Sequence, residues 1–521
     1  MAGRKNPGAC GYAEVAIRRK DGGLAAVHST VVVGSTSRRV TIVVAFVGVL
    51  CVVVPATSPA GGAADTLRRP DALRATTGTD RRDPPPSQAV VTTTKQVVGT
   101  AEFAVGYDYT QHSHLASGAG GNPAAVSSAL QLLRSLDTFQ NVALMGWGAA
   151  DPEPSPGQYA WSSLDSRVDV MGATVPANER MITLCSAPGW MKVGGSGQEW
   201  NMDDAVAPSH YTDFAALAAQ TASRYDGKHR GANGRLLPEV DDFDVWNSMK
   251  GFWDTSTNSW NVAGYTQMYN DVYAAIKAVR PDARIGGPYA PVGAATAGSV
   301  GDPSIVQGSF GVVDQRALDV VTYWLQHKAG AQFLSVEGGP AVTDESEFAS
   351  GQYFVAVDRW LRALDPTTYP GAATLPIMWA EFYPGLATTG AVARGQMAVA
   401  VDMSSFLAAG LSGASEMFVW EMEDKASGTD PSTGEGVWTD TAAAGGGAPT
   451  ALYRALKELH QTFGPGTPVY GATVTGPVAA LAGRRRVLLV SQSSSALVVD
   501  VNGTSVPMAP YGVTVVPTGW R

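Results

Sequence analysis

The segment FDVWNSMKGFWD, residues 243–254, has the pattern of a buried strand that ends at a pocket. Its first four residues form a mainly apolar run that stops abruptly at Asn247 and Ser248, and a glycine and two large aromatic residues follow. Strands of parallel barrels show this pattern where they deliver polar side chains to the mouth of the barrel. The segment therefore predicts a barrel strand with a pocket at its carboxyl end.

Seven other short apolar runs resemble this one, and amphipathic stretches with helical spacing separate several of them. The eight predicted strands are residues 102–107, 142–146, 180–184, 242–246, 283–286, 332–336, 377–381 and 416–420. The predicted helices are residues 211–225, 265–279, 316–328, 353–364, 395–409 and 449–463. Eight strands alternating with helices favour an α/β fold in the form of a closed (β/α)8 TIM barrel, expected over residues 99–463, rather than an open sheet.

After residue 463 the sequence changes to short β-rich runs separated by Gly, Pro and Ser. Asn502-Gly503 lies between two such runs, and this dipeptide is a strong signal for a β-hairpin. We therefore expect a small C-terminal antiparallel β domain over residues 464–521, a β-sandwich-like accessory domain that packs on the barrel.

The N-terminal part of the chain has the features of an export signal. Residues 40–54 form an uncharged apolar run, Arg38-Arg39 precede it, and small residues follow it. Residues 1–57 are expected to be an export signal, or an N-terminal membrane anchor if they are retained. The protein would then be secreted or associated with the extracellular side of the cell envelope. Residues 58–98 have few large apolar side chains, which predicts a disordered linker.

The composition bounds the other functions. The chain has 521 residues, 45% of them hydrophobic, and a formal net charge of -9, which argues against a nucleic-acid partner because phosphate contacts need a basic face. Cys10 and Cys51 lie in the leader, so Cys185 alone remains, as a predicted buried strand residue. The histidines show no metal-ligand spacing and no phosphate loop precedes a helix, so neither a metal nor a cofactor is predicted. No pattern indicates a protein partner.

Polar and aromatic residues follow the predicted strands, at the end of a barrel where active sites lie. The candidates are His112, His114, Trp190, Asn247, Ser248, Trp253, Glu337, Glu381, Trp420 and Glu421. Such a set suits a carbohydrate, because aromatic faces stack on the C–H surface of a sugar ring and polar groups bind its hydroxyls. Trp246 is expected in the core and Trp147 in either role. Lys250 is expected in solvent, with a role beside Ser248 as the less favoured alternative.

Glu381 is the sharpest single candidate. It follows the apolar run of residues 376–380, where an unpaired carboxylate is costly to bury. A structural Glu paired with Arg or Lys would also fit this position. A catalytic carboxylate fits better, because glycosidases generally use two carboxyl groups, one as acid and one as base or nucleophile.

The motifs resemble those of retaining glycoside hydrolases of clan A. VWNSMKGFW is similar to the VWNE-type motif of their fourth strand, and WAEFY is similar to the nucleophile motif of their seventh strand. GGPYAP, SAPGW and the VW of strand eight extend the resemblance, which is strongest to glycoside hydrolase family 39, the β-xylosidase-like family. It implies a β domain after the barrel, and it implies roles for individual residues. Asn247 would bind the sugar 2-hydroxyl, Glu381 would be the nucleophile, and Trp420 would floor the subsite of the reacting sugar, with His112 or His114 binding hydroxyls there.

Ser248 departs from this pattern, because the family has its general acid/base Glu at that position. A hydroxyl cannot protonate a leaving glycoside oxygen at neutral pH, and general acid/base help is typically worth about 10²–10⁴-fold. Another carboxylate could supply the proton, and Glu337 and Glu421 are the candidates. Alternatively, the substrate has a good leaving group, as in the similar plant myrosinases, where Gln replaces the acid.

A third alternative is a catalytically impaired relative that binds glycans, or a transglycosidase. The favoured function is an O-glycosyl hydrolase that acts on a β-xyloside-like, envelope or plant polysaccharide by a retaining mechanism. The sequence leaves the sugar open, and arabinose and glucuronic acid fit as well as xylose. A metal-dependent enzyme is the remaining, disfavoured class.

Overall fold

The computed structural model describes residues 87–101, 103–194, 204–341, 347–384, 395–424 and 436–520. The predicted export signal, residues 1–57, and most of the predicted linker lie outside these ranges. Within them, no helix is both long enough and apolar enough to cross a membrane.

Eight parallel strands close into a barrel, as the alternation of strands and helices predicts. They are Ala104–Tyr109, Gln140–Ala143, Arg180–Leu184, Asp242–Val245, Arg284–Pro291, Phe333–Gly338, Ile377–Phe382 and Ala414–Val419, here called barrel strands 1 to 8. Each pairs with the next along the chain, and strand 8 pairs with strand 1 through Val419 and Tyr107. All eight carboxyl ends therefore meet at one mouth. Cys185 lies directly after strand 3 and is buried, as predicted.

One helix follows each barrel strand. The eight helices are Pro123–Leu136, Ser162–Thr174, Tyr211–Arg224, Val262–Val279, Gln315–His327, Ser350–Ala363, Gln396–Ser412 and Ala451–Phe463. The first two had not been predicted. In the second, the buried face includes Arg167 and Thr174, so the apolar spacing that marks a helix is weak. The first carries a readable start signal, because Asn122 caps it through its side-chain oxygen and Pro123 occupies the first turn.

The β domain is one seven-stranded sheet. Its strands run in the order Thr504–Met508, Leu497–Val501, Ser87–Ala101, Thr467–Thr475, Val478–Ala482, Arg486–Ser491 and Val513–Pro517. Strands from both halves of the sheet contribute side chains to one core cluster, which includes Val487 and Val499. The hairpin predicted at Asn502-Gly503 joins Leu497–Val501 to Thr504–Met508.

The predicted linker is wrong for residues 87–98. Ser87–Ala101 is a strand inside the β domain, antiparallel to Thr467–Thr475 and parallel to Leu497–Val501. Its sequence, SQAVVTTTKQVVGTA, is rich in the β-branched residues that suit strands. Ala89 and Val91 point into the core while Val90 is exposed, so a period of two is present. A few small apolar residues are enough for this strand because the C-terminal strands supply the rest of the core.

Candidate active site

Side chains from five neighbouring strand ends meet at the mouth of the barrel. Asn247 follows strand 4, Tyr289 lies near the end of strand 5, Glu337 near the end of strand 6, and Glu381 near the end of strand 7. Trp420 follows strand 8. Glu381 is 5% exposed, so its carboxylate is almost removed from water. This position was predicted for Asn247, Glu337, Glu381 and Trp420 from the apolar runs that precede them.

Three hydrogen-bond donors surround the Glu381 carboxylate. Asn247 Nδ2 donates to Oε1 at 2.7 Å, and the Tyr289 hydroxyl donates to the same oxygen at 3.0 Å. The Tyr383 hydroxyl donates to Oε2. These hydrogen bonds reach both carboxylate oxygens and hold the Glu381 side chain in one orientation. An Arg or Lys partner, the structural alternative raised by the sequence, is not found among these contacts.

Glu337 is the carboxyl group next to Glu381. Strands 6 and 7 pair Glu337 with Glu381, so the two carboxyl groups are neighbours on adjacent strands. Burial and the Glu381 charge raise the pKa of Glu337 to about 8, although Lys250 and the Ser248 hydroxyl oppose this shift. At neutral pH Glu337 therefore holds a proton while Glu381 accepts hydrogen bonds, as expected when two carboxyl groups occupy one site.

A small cavity opens beside this pair. Its lining includes Asp108, Asn141, Trp147, Asn247, Tyr289 and Trp420. The Trp147 and Trp420 rings pack edge to face with centroids 6.0 Å apart, so two indoles form one wall. The predicted floor role of Trp420 fits this placement, and Trp147 takes the pocket role that the sequence left open.

Asp108 is a buried acid in the same lining. It is 2% exposed, and Asn141 Nδ2 donates to its Oδ1 at 2.7 Å. Its Oδ2 has no hydrogen-bond partner among the residues that the structure describes. Burial, and next the Glu381 charge, raise the pKa of Asp108 well above its usual range. A neutral Asp108 can both donate to and accept from a sugar hydroxyl that enters the cavity.

Ser248 lies between Asn247 and Glu337, and Lys250 reaches it from the same turn. Ser248 Oγ donates to Asn247 Oδ1 at 3.1 Å, and Lys250 Nζ donates to Ser248 Oγ at 3.0 Å. The expectation that Lys250 points into solvent is wrong. Its ammonium group also contacts the Asn247 side chain and lies 5.5 Å from the centroid of the Trp147 ring.

The turn that holds these residues has an unusual backbone. Trp246, Ser248 and Met249 all have positive φ angles, of 75°, 50° and 52°. Gly251 also has a positive φ, and a Cβ there would lie 1.9 Å from the Ala205 nitrogen. Side chains rarely adopt this region, and such residues cluster at functional sites. The buried Trp246, a core residue as predicted, fixes the turn by donating from Nε1 to the Lys250 carbonyl at 2.9 Å.

Two of the predicted aromatic residues lie outside the lining of this cavity. Trp190 donates from Nε1 to the Glu153 carbonyl at 2.9 Å. Trp253 belongs to a short hairpin, where its ring centroid lies 5.0 Å from that of Trp260 and Arg316 covers its face at 4.8 Å. Both are half-buried and engaged with protein groups.

The predicted histidines lie in the loop after strand 1, outside the cavity lining. His114 faces Glu423 and Asp440, with Nδ1 to carboxylate distances of 3.6 Å and 3.7 Å. The ligand atoms of these three residues lie within 4.8 Å of one another, a spacing that could hold a metal ion. Glu423 also accepts hydrogen bonds from the His114 backbone and from Thr441, so it joins the loops after strands 1 and 8. His112 is half-buried in the same loop.

Sequence reasoning missed two members of the site, Tyr289 and Tyr383. It noted Asp108 after strand 1 without giving it a role, and it ranked a role for Lys250 near the missing acid below a position in solvent. Asp108 and Tyr289 stand at strand ends in segments that had been noted, YDYTQHSH and GGPYAP, so position could have identified both. Tyr383 lies two residues beyond Glu381, and its contact depends on the backbone path at that point. Lys250 could not be placed from sequence, since the fold-back of its turn depends on several positive φ angles.

Comparison with known proteins shows structures of similar fold but no matching sequence family. No family model matches the sequence, and no curated protein matches it. Among solved structures, SrfJ from Salmonella typhimurium matches with a TM-score of 0.53 at 12% identity, over 85% of this chain and 94% of that chain. The endo-beta1,6-glucanase BT3312 matches with a TM-score of 0.52 at 11% identity, over 83% and 94%. A glucosidase from Croceicoccus marinus gives 0.51 at 14%, over 83% and 96%.

At such low identity these likenesses establish the fold. The chain is a (β/α)8 barrel with an attached β domain, and proteins of this architecture include glycosidases. Membership of glycoside hydrolase family 39 remains a proposal that rests on the sequence motifs.

Proposed function

We propose that this protein is a retaining glycoside hydrolase, an O-glycosyl hydrolase with Glu381 as its nucleophile. One observation carries the proposal: Glu381 is buried at the end of strand 7, receives hydrogen bonds from Asn247, Tyr289 and Tyr383, and adjoins a cavity walled by two indoles. The WAEFY and VWN motifs support it. The proposed substrate class is a β-xyloside-like, envelope or plant polysaccharide, which the protein meets outside the cell.

In this mechanism each residue has one task. A Glu381 oxygen attacks the anomeric carbon and forms a glycosyl ester as the bond to the leaving group breaks, and the departing oxygen takes a proton from water. The hydroxide left by that water then attacks the anomeric carbon, which releases the sugar and restores the Glu381 carboxylate. Tyr289 and Tyr383 hold the carboxylate in position before the attack. Asn247 binds the sugar 2-hydroxyl, and Trp420 supports the sugar ring.

The structure favours Glu337 over Glu421 as the carboxyl group that works with Glu381. Glu421 is buried beside Trp420, with a positive φ of 73°, and it follows strand 8, whereas Glu337 lies on strand 6 as the register partner of Glu381. Glu337 is the register partner of Glu381 on the adjacent strand 6, whereas the resemblance places the acid at position 248, after strand 4. We therefore assign Glu337 the task of holding a proton beside Glu381, not of protonating the leaving group.

A titration of stability tests the protonation of Glu337. The pKa of a free Glu is about 4, and that of Glu337 in the folded protein is about 8. Between these values the folded state keeps a proton that the unfolded state releases, so the free energy of unfolding should decrease as the pH rises through this window. We expect Glu337→Gln to remove part of the decrease in melting temperature between pH 5 and pH 9.

Other buried acids, such as Asp242 and Asp244 with pKa values of about 7 and about 8, keep a residual slope in both proteins. The difference between the two slopes is therefore the measured quantity. Replacement of the exposed Asp302 by Asn serves as the control and should leave the slope as in the native protein. Identical slopes for Glu337→Gln and the native protein would mean that Glu337 is ionised at neutral pH.

Covalent trapping tests the proposed function itself. The full chain would be incubated with 2,4-dinitrophenyl 2-deoxy-2-fluoro glycosides of xylose, arabinose, glucose and glucuronic acid. We expect the mass of one glycosyl group to be added with at least one of them, on the peptide that contains Glu381. Glycan binding by calorimetry with no adduct from any sugar would instead support the alternative function, a glycan-binding relative without turnover.

A further inference from the structure

The turn after strand 4 places a fixed cation at the position where the resemblance expects a proton donor. Lys250 Nζ donates to Ser248 Oγ at 3.0 Å and to Asn247 Oδ1, and it lies over the Trp147 ring. The backbone keeps it there, because Lys250 N donates to the Asn247 carbonyl at 3.0 Å and its own carbonyl accepts from Trp246. The ammonium group is therefore part of the site and not a mobile surface charge.

The surroundings leave this cation without a full counter-charge among the described residues that contact it. Its hydrogen-bond partners, Ser248 and Asn247, are neutral, and Trp147 contributes only its ring face. Burial and the Glu381 charge raise the pKa of the neighbouring Glu337 to about 8, which opposes a full negative charge on that side chain at neutral pH. Glu381 accepts its hydrogen bonds from three other donors, Asn247, Tyr289 and Tyr383.

A proton donor and a cation assist different leaving groups. A sugar alkoxide is a strong base and needs a proton as it departs. A carboxylate, a phosphate or a nitrophenolate is a weak base and needs only stabilisation of its negative charge. A preorganised charge in a site that excludes water supplies that stabilisation efficiently.

We propose that Lys250 and Ser248 form an oxyanion site on the leaving-group side of the cavity. On this proposal, which rests on the proposed nucleophile Glu381, the protein also turns over glycosides whose leaving group departs as an oxyanion, such as glycosyl carboxylates or glycosyl phosphates, in addition to the polysaccharide class proposed above. The same site accepts oxyanions as incoming groups, so the protein transfers the glycosyl group between them.

The steps balance without a general acid. A Glu381 oxygen bonds to the anomeric carbon, the carbon–oxygen bond to the leaving group breaks, and its electron pair stays on the departing oxygen beside Lys250. In the second step an anionic oxygen bonds to the anomeric carbon, and Glu381 leaves again as a carboxylate. Water as the acceptor would need a base to take its proton, whereas an anion needs none.

The kinetic test follows the decay of the glycosyl adduct. The full chain would be loaded with a 2,4-dinitrophenyl glycoside, and adduct loss would be measured by mass spectrometry at increasing acetate or inorganic phosphate. We expect decay to accelerate at least tenfold and to saturate, with glycosyl acetate or glycosyl phosphate as the product. Lys250→Met should abolish the saturation and Lys250→Arg should keep it, while Lys228→Met, which removes an exposed lysine, controls for ionic strength. The acetate and phosphate arms identify which oxyanion the site prefers.

A binding measurement separates this inference from the proposed nucleophile. Because Lys250 lies over Trp147, anion binding should change the tryptophan fluorescence of the resting protein, saturably in the native chain and not in Lys250→Met. If no adduct forms but this binding is present and depends on Lys250, the nucleophile is wrong and the anion site stands. If the native protein and Lys250→Met respond equally to both anions, in decay and in fluorescence, the anion site is wrong.

Discussion

Glu381→Gln is expected to lower the turnover of 2,4-dinitrophenyl glycosides by about 10⁴-fold or more, since removal of a covalent nucleophile has effects of this order or larger. Gln keeps the size of the side chain and still fits between Asn247, Tyr289 and Tyr383. Its amide cannot form the glycosyl ester, so intact-protein mass spectrometry should detect no adduct. Steady-state release of dinitrophenolate measures the loss of rate.

Two controls show whether the loss of rate comes from the missing nucleophile or from a general disturbance of the barrel. Glu416→Gln changes another inward acid of the barrel, in strand 8, whose pKa burial raises well above its usual range. It should form the Glu381 adduct at a rate near that of the native protein. Azide added to Glu381→Ala should restore turnover and give a glycosyl azide of inverted configuration, because the anion fills the vacated space. Adduct formation by Glu381→Gln would show that another residue is the nucleophile.

Ser248→Glu is expected to raise the hydrolysis of unactivated glycosides by about 10²–10⁴-fold, the usual value of general acid/base help. Ser248 lies at the strand 4 position that the resemblance assigns to the acid, and its φ of 50° is accessible to Glu only at some cost. The nearby Lys250 helps to accommodate the added charge. Turnover of phenyl and alkyl glycosides, compared with 2,4-dinitrophenyl glycosides, measures the gain.

The same substitution should weaken the oxyanion site. A carboxylate at position 248 neutralises Lys250, so saturation by acetate or phosphate should be lost as the hydrolysis of unactivated glycosides appears. Ser248→Gln is the matched control, because it adds the size of Glu without the acid and should not raise hydrolysis. If the native protein already hydrolyses unactivated glycosides and Ser248→Glu adds nothing, another group supplies the proton, and the role given to Glu337 would need revision.

The barrel could be predicted because the pattern of strands and helices is local. Each strand is a short apolar run, and each contributes to one buried core. The helix Ser162–Thr174 was not predicted because its buried face includes polar residues such as Arg167, whose burial depends on distant partners. The strand Ser87–Ala101 was not predicted because it pairs with strands that begin at residue 467 or later. Sequence patterns reflect contacts between residues that are close along the chain. Both unpredicted elements depend on contacts with residues that are distant in sequence.

The residues of the candidate site also fall into those that the sequence predicts and those that it does not. Asn247, Glu381 and Trp420 could be predicted because a strand end in a parallel barrel has a known direction. The contacts of Lys250 and Tyr383 depend on loop backbone and on side-chain reach, which the strand pattern does not determine. Trp190 and Trp253 pack against protein groups outside the cavity lining, and their role in substrate binding stays a prediction.

The strand Ser87–Ala101 also sets an order of events during biosynthesis. It leaves the ribosome before any barrel strand, yet its two sheet partners, Thr467–Thr475 and Leu497–Val501, follow all of them. Closing so long a loop costs entropy that only the completed barrel can offset, by bringing the two partners together. Until then Val97 and Val98 belong to an unpaired strand, and the newly made chain is most open to pairing with another copy of itself.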